Sequence, residues 1–178
     1  MDERTLAELD ALPVDAFAAA VGPLFEGAPR FLERLVAARP FGTVDGLFHR
    51  AREIALSMSE DEQRELIDAH PRLGAPPGSV SAMSFIEQGY DHDRADAAAE
   101  AERRRVDAEL AALNDAYERR FGFRYCVFVA GRPRSALLPE FRAALERPRE
   151  AELRRALGDV VAIARARFDA TRTPAPAR

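Results

Sequence analysis

The sequence predicts an all-α fold, a compact single-domain bundle of about eight helices. Apolar residues recur at every third or fourth position through most of the 178-residue chain, as they do along one face of a helix. Only one short apolar run, residues 125–130, resembles a β-strand, and no second run could pair with it. We expect the domain to span residues 1–170 and residues 171–178 to form a flexible tail.

Five short helices are predicted before residue 70. The first runs from Thr5 to Leu12 and ends at a proline. The others begin at a polar N-cap side chain or at a proline in the first turn. In chain order these start signals are Asp15, Pro29, Thr43, and Ser59 paired with Glu62 as a capping box.

The second half of the chain holds the clearest helix. Its apolar stripe has spacings of three and four residues and consists of Val106, Leu110, Leu113, Tyr117 and Phe121. We expect this helix to end at Gly122, since glycine is favoured just after a helix. Two further helices, Ser135–Leu145 and Glu150–Phe168, complete the predicted bundle.

The stretch of residues 70–88 departs from this helical pattern. His70 lies three residues after Ile67, so it projects from the apolar side of the fifth helix. Pro71 ends that helix, because proline disfavours the helical conformation in the residue before it. The loop that follows, residues 71–80, has three prolines and two glycines, and we expect it to be stiff. This window therefore brings a histidine to the end of a helix, beside a rigid loop.

Chemically versatile side chains gather in this window. The imidazole of His70 is suited to proton transfer near neutral pH, and the carboxylate of Glu87 can orient it. Gln88 offers a donor and an acceptor to a planar substrate with amide or urea edges. Two structural interpretations compete with this one. His70 can be a paired core residue, and Ser84 with Glu87 has the spacing of a capping box for a helix that begins at Ser84.

Arg167 is a further candidate outside the window. It lies three residues after Ala164, near the apolar stripe of the last helix. Such an arginine either extends its charged end to water or is an inward cation for a carboxylate or a urea carbonyl. Arg132 and Arg134 are weaker candidates.

Composition excludes several classes of chemistry. All 26 basic residues are arginines, so chemistry that depends on lysine is excluded. The net charge of -4 gives no indication of nucleic-acid binding. Cys126 is the single cysteine, which excludes an intrachain disulfide and a zinc site built from cysteines.

The Asp91-His92-Asp93 run lacks complementary ligands, so we predict no metal. The N-terminus resembles no signal peptide and no stretch could span a membrane, so we expect a cytoplasmic protein.

Several sequence blocks, taken together, carry a family resemblance. The most specific combination is His70-Pro-Arg-Leu-Gly74 followed by Ser84-Phe-Ile-Glu-Gln88. The other blocks are Phe25-Glu-Gly-Ala-Pro29, Arg39-Pro-Phe41, Leu113-Asn-Asp-Ala-Tyr117, Arg120-Phe-Gly-Phe123 and Ile163-Ala-Arg-Ala-Arg167-Phe168. With these blocks the chain resembles the 2-oxo-4-hydroxy-4-carboxy-5-ureidoimidazoline (OHCU) decarboxylases of urate breakdown.

The resemblance implies an all-helical, cofactor-free homodimeric enzyme that converts OHCU, a small ureidoimidazoline, to (S)-allantoin with loss of carbon dioxide. His70 matches the catalytic histidine, and Glu87 would act with it. Arg167 matches the substrate-binding arginine. The other positions that match substrate contacts are Pro71, Ser84, Phe85, Ile86, Glu87 and Gln88. Backbone contacts are implied for the segment Tyr125, Cys126, Val127, Phe128 and Val129.

Two other functions stay open at this point. The chain could be a paralogous enzyme that acts on a related ureido or hydantoin compound with the same histidine and glutamate. It could also be a non-catalytic helical binding module, whose Ala-, Glu- and Arg-rich helix is a surface for a partner protein.

Overall fold

The structure, a computed structural model, describes residues 6–88 and 97–172, except for the side chains of Pro77, Glu87 and residues 97–99. Within these ranges the chain forms nine α-helices, two 3-10 helices and no strand, so the all-α prediction is confirmed. The α-helices are α1 (Leu6–Asp10), α2 (Val14–Val21), α3 (Pro29–Ala37), α4 (Val44–Ser57), α5 (Glu60–Asp68), α6 (Ala82–Glu87), α7 (Ala97–Phe121), α8 (Arg134–Ala144) and α9 (Arg149–Ala170). The 3-10 helices are Gly22–Phe25 and Pro77–Ser79.

The chain divides into two compact units. The first comprises residues 1–69 and 157–178, and the second comprises residues 70–156. The predicted tail falls largely outside the described residues, because only residues 171 and 172 of it are described. Among the described residues, no helix combines the length and apolarity needed to cross a membrane.

Most helix starts in the first unit follow the predicted signals. The Thr43 hydroxyl accepts a hydrogen bond from the Gly46 N–H at 2.9 Å and caps α4. Ser59 and Glu62 form the capping box of α5, in which the Ser59 N–H donates to the Glu62 carboxylate at 2.9 Å. The prediction for Asp15 was wrong, because it lies inside α2 and the N-cap position belongs to proline 13. That proline already fixes the backbone angle at the start of the helix.

Aromatic rings fill the core of the first unit. Phe25 and Phe31 lie 4.6 Å apart between ring centroids, and Phe48 meets Phe168 edge to face at 5.7 Å. Such pairs stabilise a fold by about 0.5–1.5 kcal/mol each beyond the area they bury. Ring contacts therefore join the first 3-10 helix to α3, and α4 to α9, within this unit.

The core of the second unit is built around Tyr117 of α7. Its ring centroid lies 4.5–5.8 Å from four other rings, those of Phe121, Phe123, Tyr125 and Phe141. The predicted stripe of α7 is otherwise buried, but Leu113 is only partly covered and its neighbour Asn114 is buried instead. A polar side chain thus occupies an inward position of this helix. Gly122 ends α7 with a φ of +79°, as predicted.

The helix that carries the second half of the window begins earlier than predicted. The hydroxyl of Ser81 accepts a hydrogen bond from the Ser84 N–H at 3.2 Å and caps α6. The predicted capping box of Ser84 and Glu87 is therefore wrong, because Ser84 lies one turn inside the helix and is buried. Ser81 and Ser84 can both serve as caps by residue type, and in the structure the exposed Ser81 is the cap while Ser84 is buried.

Glu62 should contribute a pH-dependent part of the stability. A hydrogen bond from Arg34, and then those from Ser59, hold the pKa of Glu62 at about 2, below its ordinary 4.5. A carboxyl group whose pKa is lowered on folding stabilises the fold above its unfolded pKa and loses that effect as pH falls. We expect Glu62→Gln to lower the free energy of unfolding at neutral pH, and its difference from wild type to shrink between pH 4.5 and about 2.

Urea titrations across this pH range measure the difference. Asp61→Asn, in the same helical turn, is the control for the loss of one negative charge. A Glu62→Gln difference that stays constant down to pH 2 would contradict the interpretation.

Candidate active site

His70 begins the second unit, two residues after the last residue of α5. Its exposed fraction is 3%, so the side chain is buried as its spacing from Ile67 predicts. Pro71 follows it outside any helix. Burial holds the imidazole in one environment, which a group that moves a proton to a defined atom requires.

The loop after His70 is held by the side chain of Gln88. The amide oxygen of Gln88 accepts a hydrogen bond from the Gly74 N–H at 2.7 Å, and its amide nitrogen donates to the Arg72 carbonyl at 3.3 Å. Gln88 is itself buried at the end of α6. The donor and acceptor that the sequence assigned to a substrate are therefore engaged with loop backbone in this structure.

The same loop packs directly on α7. Asn114 is buried, and its amide nitrogen donates to the Leu73 carbonyl at 2.9 Å and to the Leu110 carbonyl at 2.8 Å. Gly74 has a φ of +78°, and a Cβ atom there would lie 2.9 Å from Leu110 Cδ1. Only glycine fits this position, both for its backbone angle and for its close approach to α7.

Two arginines complete the attachment of the loop. Arg124 donates from Nη1 to the carbonyl of His70 itself at 2.9 Å. Arg72 binds Glu118 through Nε at 2.7 Å and Asp115 through Nη1 at 2.9 Å, and the hydrogen bond with Glu118 raises the pKa of Arg72. Residues 70–74 are thus fixed at successive points by side chains of the second unit, which limits the positions that the His70 imidazole can take.

The other window residues differ in their surroundings. Ser84 is buried, Phe85 is partly exposed, and Ile86 is exposed at 65%. Ile86 thus lies on the solvent side of α6 in this structure. The backbone of Glu87 belongs to the last turn of α6, whereas its side chain lies outside the described part of the chain.

The segment of residues 125–129 is neither helix nor strand, and most of its side chains are buried. The Cys126 carbonyl accepts a hydrogen bond from Arg155 Nη1 at 2.9 Å. Arg132 binds the Phe128 carbonyl through Nη2 at 2.8 Å and the Val129 carbonyl through Nε at 3.0 Å. Among the described residues, neither the N–H nor the C=O of Val127 has a hydrogen-bond partner.

Arg167 belongs to the first unit and is an inward cation. It is buried, and it pairs with the Glu26 carboxylate at 2.8 Å. Its Nη1 also donates to the carbonyls of Pro23 at 3.1 Å and Leu24 at 3.3 Å. The interpretation that the charged end reaches water is therefore wrong. The buried charge is compensated by a carboxylate and two backbone dipoles.

Sequence reasoning missed several polar residues that fix the candidate site. Asn114, Arg124 and Arg155 donate to backbone carbonyls in the second unit, and the Glu152 carboxylate accepts hydrogen bonds from Arg147 and Arg155. Asn114 alone carried a signal, as a polar residue at an inward position of an apolar stripe. Within the described ranges no group of three or more His, Cys, Asp or Glu could hold a metal, and residues 91–93 lie outside those ranges.

Comparison with known proteins gives consistent results. The family model described as OHCU decarboxylase matches residues 10–169, which is most of the chain. A relative from Haloferax volcanii named 2-oxo-4-hydroxy-4-carboxy-5-ureidoimidazoline decarboxylase is 29% identical over 168 residues, which cover 94% of this chain and 96% of the relative. The uric acid degradation bifunctional protein PucL of Bacillus subtilis is 29% identical, over 92% of this chain and 32% of that protein.

Two solved structures share the fold. The crystal structure of an OHCU decarboxylase in the presence of (S)-allantoin superposes with a TM-score of 0.65 at 21% identity, over 86% of this chain and 96% of that chain. The crystal structure of an (S)-allantoin synthase gives a TM-score of 0.64, also at 21% identity, over 94% of this chain and 54% of that chain.

Gln88→Met should loosen the loop after His70. Methionine has a similar length but removes both hydrogen bonds. The Gly74 N–H then loses its partner among the described residues, whereas the Arg72 carbonyl still accepts a hydrogen bond from the Ala75 N–H at 3.1 Å. An unpaired donor in this half-buried loop costs about 1 kcal/mol, the lower end of the range for buried groups. We expect a loss of stability of that order in urea denaturation. Ile86→Met, on the exposed side of the same helix, is the matched control. Equal stability of the two variants would contradict a stabilising role for the hydrogen bonds of Gln88 to the loop.

Proposed function

Because the chain belongs to the OHCU decarboxylase family, as its motifs predicted, we propose that it converts OHCU to (S)-allantoin and carbon dioxide. The observation that carries the proposal is the coincidence of the family match with a buried histidine on a clamped loop. The runner-up substrates are other ureido or hydantoin compounds, and the assay below separates them from OHCU.

The proposed chemistry uses the substrate's own electron-accepting group. Loss of carbon dioxide leaves an electron pair on the ring carbon that carried the carboxylate, and the neighbouring C=N of the ring accepts that pair. The ring nitrogen then takes up a proton, and the hydroxyl on the decarboxylated carbon gives up its proton as it becomes the carbonyl of allantoin. One face of the neighbouring carbon, which carries the ureido group, is protonated to give (S)-allantoin, so the whole reaction consumes one proton. The protein has to hold the carboxylate perpendicular to the π-system and supply this proton, so positioning and preorganised polarity provide the catalysis.

We assign the proton transfer to His70. Its burial and the bond from Arg124 to its carbonyl support this assignment, because both restrict where the imidazole can lie. Glu87 would orient the imidazole or engage the substrate hydroxyl. Gln88 would act mainly through the loop that it binds.

Substrate contacts are proposed for two further parts of the chain. The N–H and C=O of Val127, which lack a partner among the described residues, are suited to an amide or urea edge. We propose a substrate contact for Arg167 as well, because the resemblance matches it to the substrate-binding arginine; in this structure its guanidinium binds Glu26 and two carbonyls.

We further infer a cytoplasmic homodimer that requires no bound cofactor, on the strength of the family resemblance. Light scattering of the purified chain tests the dimer, with a mass of about twice 19.7 kDa expected and a mass near 19.7 kDa contradicting it.

The decisive assay supplies OHCU freshly made from urate and follows the optical activity of the allantoin formed. Wild-type protein should accelerate the reaction above its spontaneous rate and give one enantiomer. His70→Ala should reduce kcat by at least about 10²-fold, in line with the contribution of a positioned acid or base. Circular dichroism should show an unchanged helical signal in the variant.

His49→Ala is the matched control, since His49 is an exposed histidine on α4 and should be dispensable. Activity on a related ureido acid with none on OHCU would assign the chain to a paralogous enzyme. Absence of activity on both, together with a protein partner that co-purifies, would favour the binding module.

A further inference from the structure

Arg155 of α9 contacts the segment of residues 125–129. It binds the Glu152 carboxylate through Nε at 2.9 Å and donates from Nη1 to the Cys126 carbonyl at 2.9 Å. Its guanidinium also lies over the Tyr125 ring, 4.8 Å from the centroid. The planar guanidinium of Arg155 therefore joins α9 to the backbone and to the aromatic ring of this segment.

Glu152 fixes the position of that guanidinium. The Glu152 side chain is fully buried, and it accepts hydrogen bonds from Tyr117 at 2.8 Å and from Arg147 at 2.9 Å in addition to Arg155. Burial acts to raise the pKa of Glu152, but the bonds from Arg155, Arg147 and Tyr117 outweigh it and lower the pKa. The carboxylate is therefore ionised at neutral pH and holds Arg155 as a cation.

The anchored carbonyls are those on either side of Val127. Arg155 binds the Cys126 carbonyl, and Arg132 binds the Phe128 and Val129 carbonyls. Val127 is buried, and within residues 6–88 and 97–172 its own N–H and C=O have no partner. Buried peptide groups are almost always paired, so this pair of groups is suited to contact a bound ligand or water.

We infer that Arg155 and Glu152 are positioning residues that aim the peptide groups of Val127 at the ureido edge of the substrate. Arg155 holds the segment from the Cys126 side, and Glu152 holds Arg155. Neither residue touches the reacting atoms. The inference rests on the proposed function for the identity of the substrate. The contacts of Arg155 with Glu152 and with residues 125–129 do not depend on that function.

Arg155→Lys separates positioning from a purely structural role. Lysine keeps a cation opposite Glu152, but its single ammonium cannot span both the carboxylate and the Cys126 carbonyl as the guanidinium does. We expect the variant to fold with a lower urea midpoint, because the Cys126 carbonyl loses the Arg155 donor. For OHCU we expect KM to rise about tenfold while kcat changes much less, the pattern of lost substrate binding.

Arg154→Lys is the matched control on the same helix. Arg154 is exposed and pairs with the exposed Glu150 at 2.6 Å, so its replacement should leave KM unchanged.

A second matched pair of variants tests Glu152. Glu152→Gln should raise KM for OHCU, whereas Glu150→Gln should leave it unchanged. Tyr117→Phe removes one bond to Glu152 and is a milder test, for use if Glu152→Gln does not fold. An unchanged KM in Arg155→Lys would overturn the inference, even if stability fell.

A wild-type protein that is inactive on OHCU would refute the proposed function. The positioning role of Arg155 is then tested without activity, by amide hydrogen exchange measured by NMR. Faster exchange confined to residues 125–129 in Arg155→Lys, and absent in Arg154→Lys, would support it. Unchanged exchange in that segment would overturn it.

Discussion

The backbone groups of a buried loop must be paired, and the loop after His70 is paired by side chains from separate parts of the second unit. Gln88 at the end of α6, Asn114 of α7 and Arg124 beyond α7 bind groups between residue 70 and residue 74. Because Pro71 ends the helical hydrogen bonding, no regular element can supply these partners. The position of the proposed catalytic imidazole therefore depends on side-chain amides and a guanidinium that hold its backbone.

Arginine is the main means by which this chain ties irregular backbone in place. Arg39, Arg124, Arg132, Arg155 and Arg167 each donate to backbone carbonyls. A guanidinium can bind a carboxylate and a carbonyl at once because it has five donors in a fixed plane, which an ammonium group cannot match. Arg132, Arg155 and Arg167 bind a carboxylate as well, so each of them joins an acidic side chain to irregular backbone.

Two errors of sequence reasoning arose where residue type and spacing permit two arrangements. Ser81, Ser84 and Glu87 permit two different helix starts by residue type and spacing, and the choice between them depends on which serine is buried. Likewise, Arg167 near an apolar stripe permits an exposed or an inward charge. The inward position is stable only because Glu26 and two carbonyls lie there, and those groups are far from Arg167 in the chain. A local pattern does not contain such long-range partners.

By itself the sequence determined the helical class, the end of α5 near His70, the capping box of α5 and the family, because these depend on the local spacing of apolar, capping and motif residues. Only the tertiary structure decided that the amide of Gln88 binds the loop and that a polar network of Glu152, Arg155 and Tyr117 supports residues 125–129. Apart from the Glu152–Arg155 pair within α9, those contacts join residues 14–35 positions apart in the chain. Their formation depends on how the helices pack, which periodicity along one element cannot express.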